Sequence, residues 1–251
     1  MNDIELGILL PAFIAGLLVL ATHIPLGMKV LARGVIFADL AVAQIAGLGV
    51  VIAALLDLTE RPLLVQLIAA ASALCGAALL AWIEKRLAEV KEACIGLTFV
   101  LAASGGILLM SRDVHSGEHL KDLLVGQILW VSANQLTATA VLTVALLALW
   151  QWTKLKNSNL GFYGLFALAV TASVQLVGVY LVFASLIIPA LATYRIKHRR
   201  THFAFAIGIA GYAIGLWLSA WLDLPSGATV VWAMAATGVL AAWLLNARTA
   251  V

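Results

Sequence analysis

The chain has 251 residues, of which 64% are hydrophobic and only 11% charged, and its mean hydropathy is +1.08. One water-soluble core cannot hide that much apolar surface, so a bilayer is the solvent for much of it. The net charge of +3 does not indicate a nucleic-acid partner, because the basic residues sit in short clusters between apolar runs rather than along one soluble face.

Charge-free runs cover residues 6–28, 40–56, 62–83, 93–111, 123–153, 157–194, 203–222 and 224–247. A membrane span needs about 20 apolar residues, so most of these predict one helix each. The first run follows Asp3 and Glu5 rather than a basic segment and is too long for a signal peptide, which makes it a retained first helix. The run 123–153 is too long for one crossing and holds Gly126, Ser132, Asn134 and Gln135, which predicts a short surface helix followed by a span. The run 157–194 holds Gly178 and Pro189 and predicts a full span, a bend near Gly178 and a half-length helix back.

These elements make an all-α, polytopic transmembrane bundle of eight full spans plus one short half-helix, forming a single transmembrane domain over 1–251. The charges test that plan. Lys29, Arg33, Lys85, Arg86, Lys91, Lys154, Lys156, Arg195, Lys197, Arg199, Arg200 and Arg248 fall on one side, against Arg61, Arg112 and Lys121 on the other. The positive-inside rule makes the twelve-residue side cytoplasmic, with the N-terminus outside and the C-terminus inside. Without the bend at Gly178 the rule fails on one side of it. Cys75 and Cys94, the two cysteines, each lie in an apolar run and read as core packing.

Asp39 is the one acidic residue placed inside a span, a few residues into the second helix. An ionisable side chain there marks a functional site, unless it pairs with Lys29 or Arg33 at the membrane edge. Gln44 follows five residues later, a turn of about 140°, so the two do not share one helix face. His23, inside the first span, is a packing residue or faces a pore. His115-x-x-Glu118-His119 has the spacing of zinc-protease ligands, but Gly117 interrupts the helix such a site needs. The alternatives are a weak outer acceptor for an arriving metal and a solvated polar loop.

Several segments, taken in order, resemble the metal-specific (zinc and manganese) family of ABC importer permeases, the ABC-3 type. Pro25-Leu26-Gly27 with Val30-Leu31-Ala32-Arg33 resembles its first-helix exit, and Glu92-Ala93-Cys94-Ile95-Gly96 the start of its fourth helix. Leu123-Leu124-Val125-Gly126-Gln127-Ile128-Leu129 resembles its outer short helix. Gly178-Val179-Tyr180-Leu181-Val182 with Leu186-Ile187-Ile188-Pro189-Ala190 resembles its bend and half-helix, and Asp223-Leu224-Pro225-Ser226-Gly227-Ala228 its final hairpin.

The resemblance implies a type II ABC importer-like fold and a permease, not an enzyme, in the inner membrane of a bacterial cell. Two copies would pair as a homodimer, with cytoplasmic ATPases that bind the ATP and an extracytoplasmic metal-binding protein. The cargo would be Zn²⁺ or Mn²⁺, with no permanently bound cofactor and contacts to membrane lipid. The family's second helix commonly carries an aspartate and, four residues later, a histidine. Aligned on the downstream glycine, Gln44 takes the histidine position and Leu40 the aspartate position, with Asp39 one residue earlier. An amide is a poorer ligand for Zn²⁺ than imidazole. Asp39, Gln44, His23, His115 and His119 are the candidate metal residues, and Gln127 and Glu92 the candidates for the path or its gate. Lys154, Lys156 and Arg195 are the candidates for ATPase coupling. The segment 154–159 stands where the family carries a longer coupling helix, which leaves open an uncoupled channel or accessory subunit. A metal chelate or other small cofactor as cargo is a further alternative.

Overall fold

A computed structural model describes residues 3–58, 60–110, 128–152, 158–196 and 198–249. Among them run nine α-helices and no strand: α1 (Asp3–Arg33), α2 (Ala38–Leu55), α3 (Pro62–Arg86), α4 (Lys91–Met110), α5 (Ala133–Trp152), α6 (Asn159–Val177), α7 (Val179–Ala192), α8 (Arg200–Leu222) and α9 (Ser226–Thr249). Two short 3₁₀ turns lie at Ala88–Val90 and Ile128–Trp130. Seven of the helices are long and apolar enough to cross a membrane. Helix α4 has 20 residues and α7 has 14, a length of about 21 Å that falls short of the hydrocarbon core. The chain is all-α, as the pattern of apolar runs predicts.

Local chemistry sets the helix boundaries. Pro62 opens α3, where a missing amide hydrogen does no harm. At α5, the Ser132 amide donates to Gln135 Oε1 at 3.0 Å and the Gln135 amide to Ser132 Oγ at 3.2 Å, a reciprocal cap. Helix α8 ends at Asp223, whose backbone is left-handed with φ 52°. The Leu224 amide then bonds the Ser219 carbonyl at 3.0 Å, closing the turn before Pro225. Gly178 separates α6 from α7 with φ 82° and ψ 161°, a conformation that essentially only glycine adopts. The predicted bend therefore exists, and the half-length helix follows it. Of the predicted short helix after residue 123, only the turn Ile128–Trp130 lies within the described residues.

The chain divides into two compact units: Met1–Arg33, Leu124–Val144 and Gln175–Val251 in the first, and Gly34–Leu123 with Ala145–Val174 in the second. In the first, α1 packs on α7 and α8, and α9 packs on α7 and α8. Small residues let the backbones approach: Gly208 lies against Leu20, Gly211 against Met234 and Gly215 against Val230. In the second unit, α2 packs on α3 and α4. The buried stripe Ala69, Ala73, Gly76, Ala77 and Leu80 of α3 meets α2, with Ile45 over Gly76. Phe162 stacks on Phe166 at 5.7 Å and lies 6.4 Å from Trp150.

The outer surface is apolar. Seven of the eight tryptophans are exposed, up to 86% at Trp152, an arrangement that suits lipid and headgroup contact and that water would penalise. Cys75 belongs to this surface, which corrects its expected place in the core: it is exposed on α3, while Cys94 is half-buried, and both are free. An apolar solvent removes the reason to bury a thiol.

Candidate cation site

Asp39 lies in the first turn of α2 and is 1% exposed. Both of its carboxylate oxygens are buried without a side-chain hydrogen-bond partner, and the donors closest to them are the backbone amides of Asp39 itself and Leu40. Glu92 occupies the first turn of α4. Its Oε1 accepts the Ile36 amide at 2.6 Å, while Oε2 is buried and unpartnered. By holding the Ile36 amide, three residues before Asp39, the Glu92 side chain is brought to the start of α2.

Each carboxylate stands at the positive end of a helix dipole, which favours negative charge there. That partial charge does not replace a cation or hydrogen-bond donors for buried anionic oxygens. Three of the four oxygens thus remain without a side-chain partner. Among the described residues, no third His, Cys, Asp or Glu joins them. The donor set is oxygen only, of the kind that suits hard divalent cations keeping several waters.

The other predicted residues are distributed as follows. Gln44 is half-buried on α2, five residues past Asp39. His23 belongs to the first unit, fully buried on α1. Its Nδ1 lies 2.9 Å from the Val19 carbonyl, which only accepts, so Nδ1 carries the hydrogen. Nε2 is then a buried lone pair without a partner. Arg195 is exposed in the turn after α7. Nearby Arg200 donates to the Ala190 carbonyl at 3.0 Å and lies 5.9 Å over the Tyr194 ring. His115, His119, Gln127, Lys154 and Lys156 lie outside the described residues.

Two features were not singled out from sequence. Ile36 supplies the amide that holds Glu92, and no side-chain pattern signals a backbone donor. Ser185 and Tyr212, both fully buried, bond at 3.0 Å; a serine within an apolar run with nothing polar nearby in sequence was the available sign.

The fold has a solved counterpart in the structure of PsaBC from Streptococcus pneumoniae in complex with Fab. The TM-score is 0.72 at 22% identity, over 93% of this chain and 89% of that one. A probable iron transport system membrane protein of Haemophilus influenzae is 28% identical over 180 residues, 62% of this chain and 66% of that protein. The chain thus spans just under two thirds of that relative's length. The ABC 3 transport family matches residues 5–160 and, overlapping, 154–245. With nearly the whole length matched, this multi-pass membrane chain belongs to the ABC 3 transport family.

Proposed function

We propose that the chain is the membrane-spanning permease subunit of an ABC importer that carries a divalent transition-metal ion into the cytoplasm. The observation that carries this reading is Asp39: a carboxylate buried in a spanning helix with no side-chain partner for either oxygen. Such a residue is expensive to keep in a membrane and lies by default on a substrate path.

The whole chain acts as one permease domain and pairs with a second copy. Cytoplasmic ATPases bind and hydrolyse the ATP, and an extracytoplasmic protein delivers the ion. The twelve-to-three distribution of Lys and Arg supports an outside N-terminus and a cytoplasmic C-terminus. On that orientation α2 and α4 both start on the cytoplasmic side, so Asp39 and Glu92 stand near the exit of the path. The exposed Arg195 and the basic residues Lys154 and Lys156 face the ATPases.

Zinc, manganese and iron are the candidate cargoes, iron because the Haemophilus influenzae relative is named for iron transport. An oxygen-only donor set favours Mn²⁺ and Fe²⁺ over Zn²⁺, which takes imidazole and thiolate more readily. Uptake of radioactive Mn²⁺ and Fe²⁺ by cells lacking other importers tests the reading. Asp39→Asn is expected to abolish uptake while expression and membrane insertion persist. Parental uptake by that variant removes Asp39 from the mechanism.

The short connection between α5, ending at Trp152, and α6, starting at Asn159, favours a second reading in which no ATPase docks and the chain is an uncoupled channel or accessory subunit. Affinity purification from the native membrane separates the two. A stoichiometric ATPase partner excludes the uncoupled reading, and its absence supports it.

A further inference from the structure

We infer that Asp39 and Glu92 hold one cation between them, with Glu92 using Oε1 to grip the Ile36 amide and Oε2 to bind the metal. This rests on the proposed import of a divalent ion and adds a second ligand, on a different helix, to Asp39. The two oxygens of Glu92 already differ: one is hydrogen-bonded to backbone at 2.6 Å and the other is buried and empty-handed. A carboxylate held by one oxygen has few orientations left for the other, so Oε2 is positioned before the ion arrives.

No side-chain hydrogen bond reaches the three open oxygens. A Cβ built on Gly34 would lie 3.9 Å from the Lys91 ammonium nitrogen, so that ammonium lies beside the start of the segment 34–37. It hydrogen-bonds neither Asp39 oxygen nor Glu92 Oε2. Two carboxylates brought together at the start of α2 by the Glu92–Ile36 bond are best balanced by a cation or a shared proton. A divalent ion neutralises both carboxylates at once, whereas one proton neutralises only one.

With two carboxylates and no imidazole or thiolate joining them among the described residues, the remaining coordination positions fall to water or backbone carbonyls. This is the chemistry of a weakly held, exchangeable hard ion, and it fits an exit station rather than a high-affinity trap. Because Glu92 Oε1 holds Ile36, the ion is also tied to the segment 34–37 ahead of α2. Release of the ion and movement of that segment are then linked through a single side chain.

The test uses the purified full-length permease, with any ATPase that co-purifies, titrated with Mn²⁺ and followed by the loss of the free-ion paramagnetic resonance signal. Glu92→Gln keeps an oxygen for the Ile36 amide but removes the charge, and Asp39→Asn does the same at its position. Each is expected to weaken Mn²⁺ binding at least about tenfold. The double variant is expected to lose less than the product of the two, as for ligands of one ion. Thermal melting without Mn²⁺ shows that Glu92→Gln is folded, and the Mn²⁺-induced rise in melting temperature is expected to disappear in it. Parental Mn²⁺ affinity in Glu92→Gln with loss in Asp39→Asn overturns the shared site but leaves Asp39 on the path. No Mn²⁺ binding by the parental protein, with both variants melting higher than it, identifies a shared proton and also overturns the site.

Discussion

Gly27 of α1 lies directly on the carbonyl of Leu186 in the middle of α7: a Cβ added at residue 27 would fall on that oxygen. The neighbour is helical backbone, not the end of a flexible side chain, so it cannot step aside cheaply. Gly27→Ala is expected to push α1 and α7 apart and to cost about 3 kcal/mol, the upper part of the usual overpacking range. Thermal melting in detergent reads the effect. Gly164→Ala is the control, since nothing lies within 4 Å of a Cβ there, and its melting temperature is expected to stay the same or rise slightly.

Ser185 and Tyr212 give an asymmetric prediction. Ser185 donates its hydroxyl hydrogen to the Leu181 carbonyl at 2.7 Å, so in the 3.0 Å contact between the two hydroxyls Tyr212 is the donor. Tyr212→Phe leaves Ser185 satisfied by Leu181 and is expected to cost about 1 kcal/mol. Ser185→Ala strands a fully buried phenol hydroxyl and is expected to cost about 2 kcal/mol, the penalty for a polar group without a partner. Equal losses in a chemical or thermal melt would show that water or another group takes over the phenol.

Gly178 carries the break between α6 and α7 at φ 82° and ψ 161°. Any side chain there is strained, so Gly178→Ala is expected to destabilise the fold by about 1 to 3 kcal/mol. The loss should appear as lower yield of monodisperse protein and a lower melting temperature. A melt unchanged from the parental protein would mean that α6 and α7 can join in another way.

That same break was legible in the sequence, because a charge-free run of 157–194 exceeds one bilayer crossing and the basic residues demand a reversal within it. Helix ends were less legible. Helix α1 continues to Arg33 and α3 to Arg86, beyond the apolar runs that end at Met28 and Ile83. Long basic side chains reach back to the membrane edge while their backbone stays helical, so a charge ends the apolar span before it ends the helix. The candidate site was half legible. Asp39 stood out as an acidic residue in a span, whereas its proximity to Glu92 and the grip of Glu92 on Ile36, 56 residues apart in sequence, depend on how α2 and α4 pack. No local pattern encodes that.

The orientation inferred from charge predicts the result of reporter fusions. Alkaline phosphatase, active only outside the cytoplasm, is expected to be active when fused after Asp57 or Asp223 and silent after Arg195 or Thr249. A fluorescent protein that folds only in the cytoplasm is expected to give the opposite pattern. Phosphatase activity at Arg195 would reverse the orientation and place the Asp39 end of α2 on the outer side, at the mouth of the path rather than its exit.

Gln44 offers a way to change the metal. It is half-buried on α2, about 140° around the helix from Asp39, where an amide oxygen is a weak ligand for Zn²⁺. Gln44→His introduces an imidazole in a helix that already carries a buried carboxylate, and zinc prefers nitrogen donors more strongly than manganese does. If both residues line one path, the variant is expected to raise Zn²⁺ uptake relative to Mn²⁺ by about tenfold, measured by competition between the two ions in cells. Combining it with Asp39→Asn should abolish uptake of both ions, as Asp39→Asn does alone, because the imidazole by itself is one ligand of the four that zinc needs. An unchanged Zn²⁺ to Mn²⁺ ratio in Gln44→His would place residue 44 off the path and leave selectivity to the carboxylates of Asp39 and Glu92.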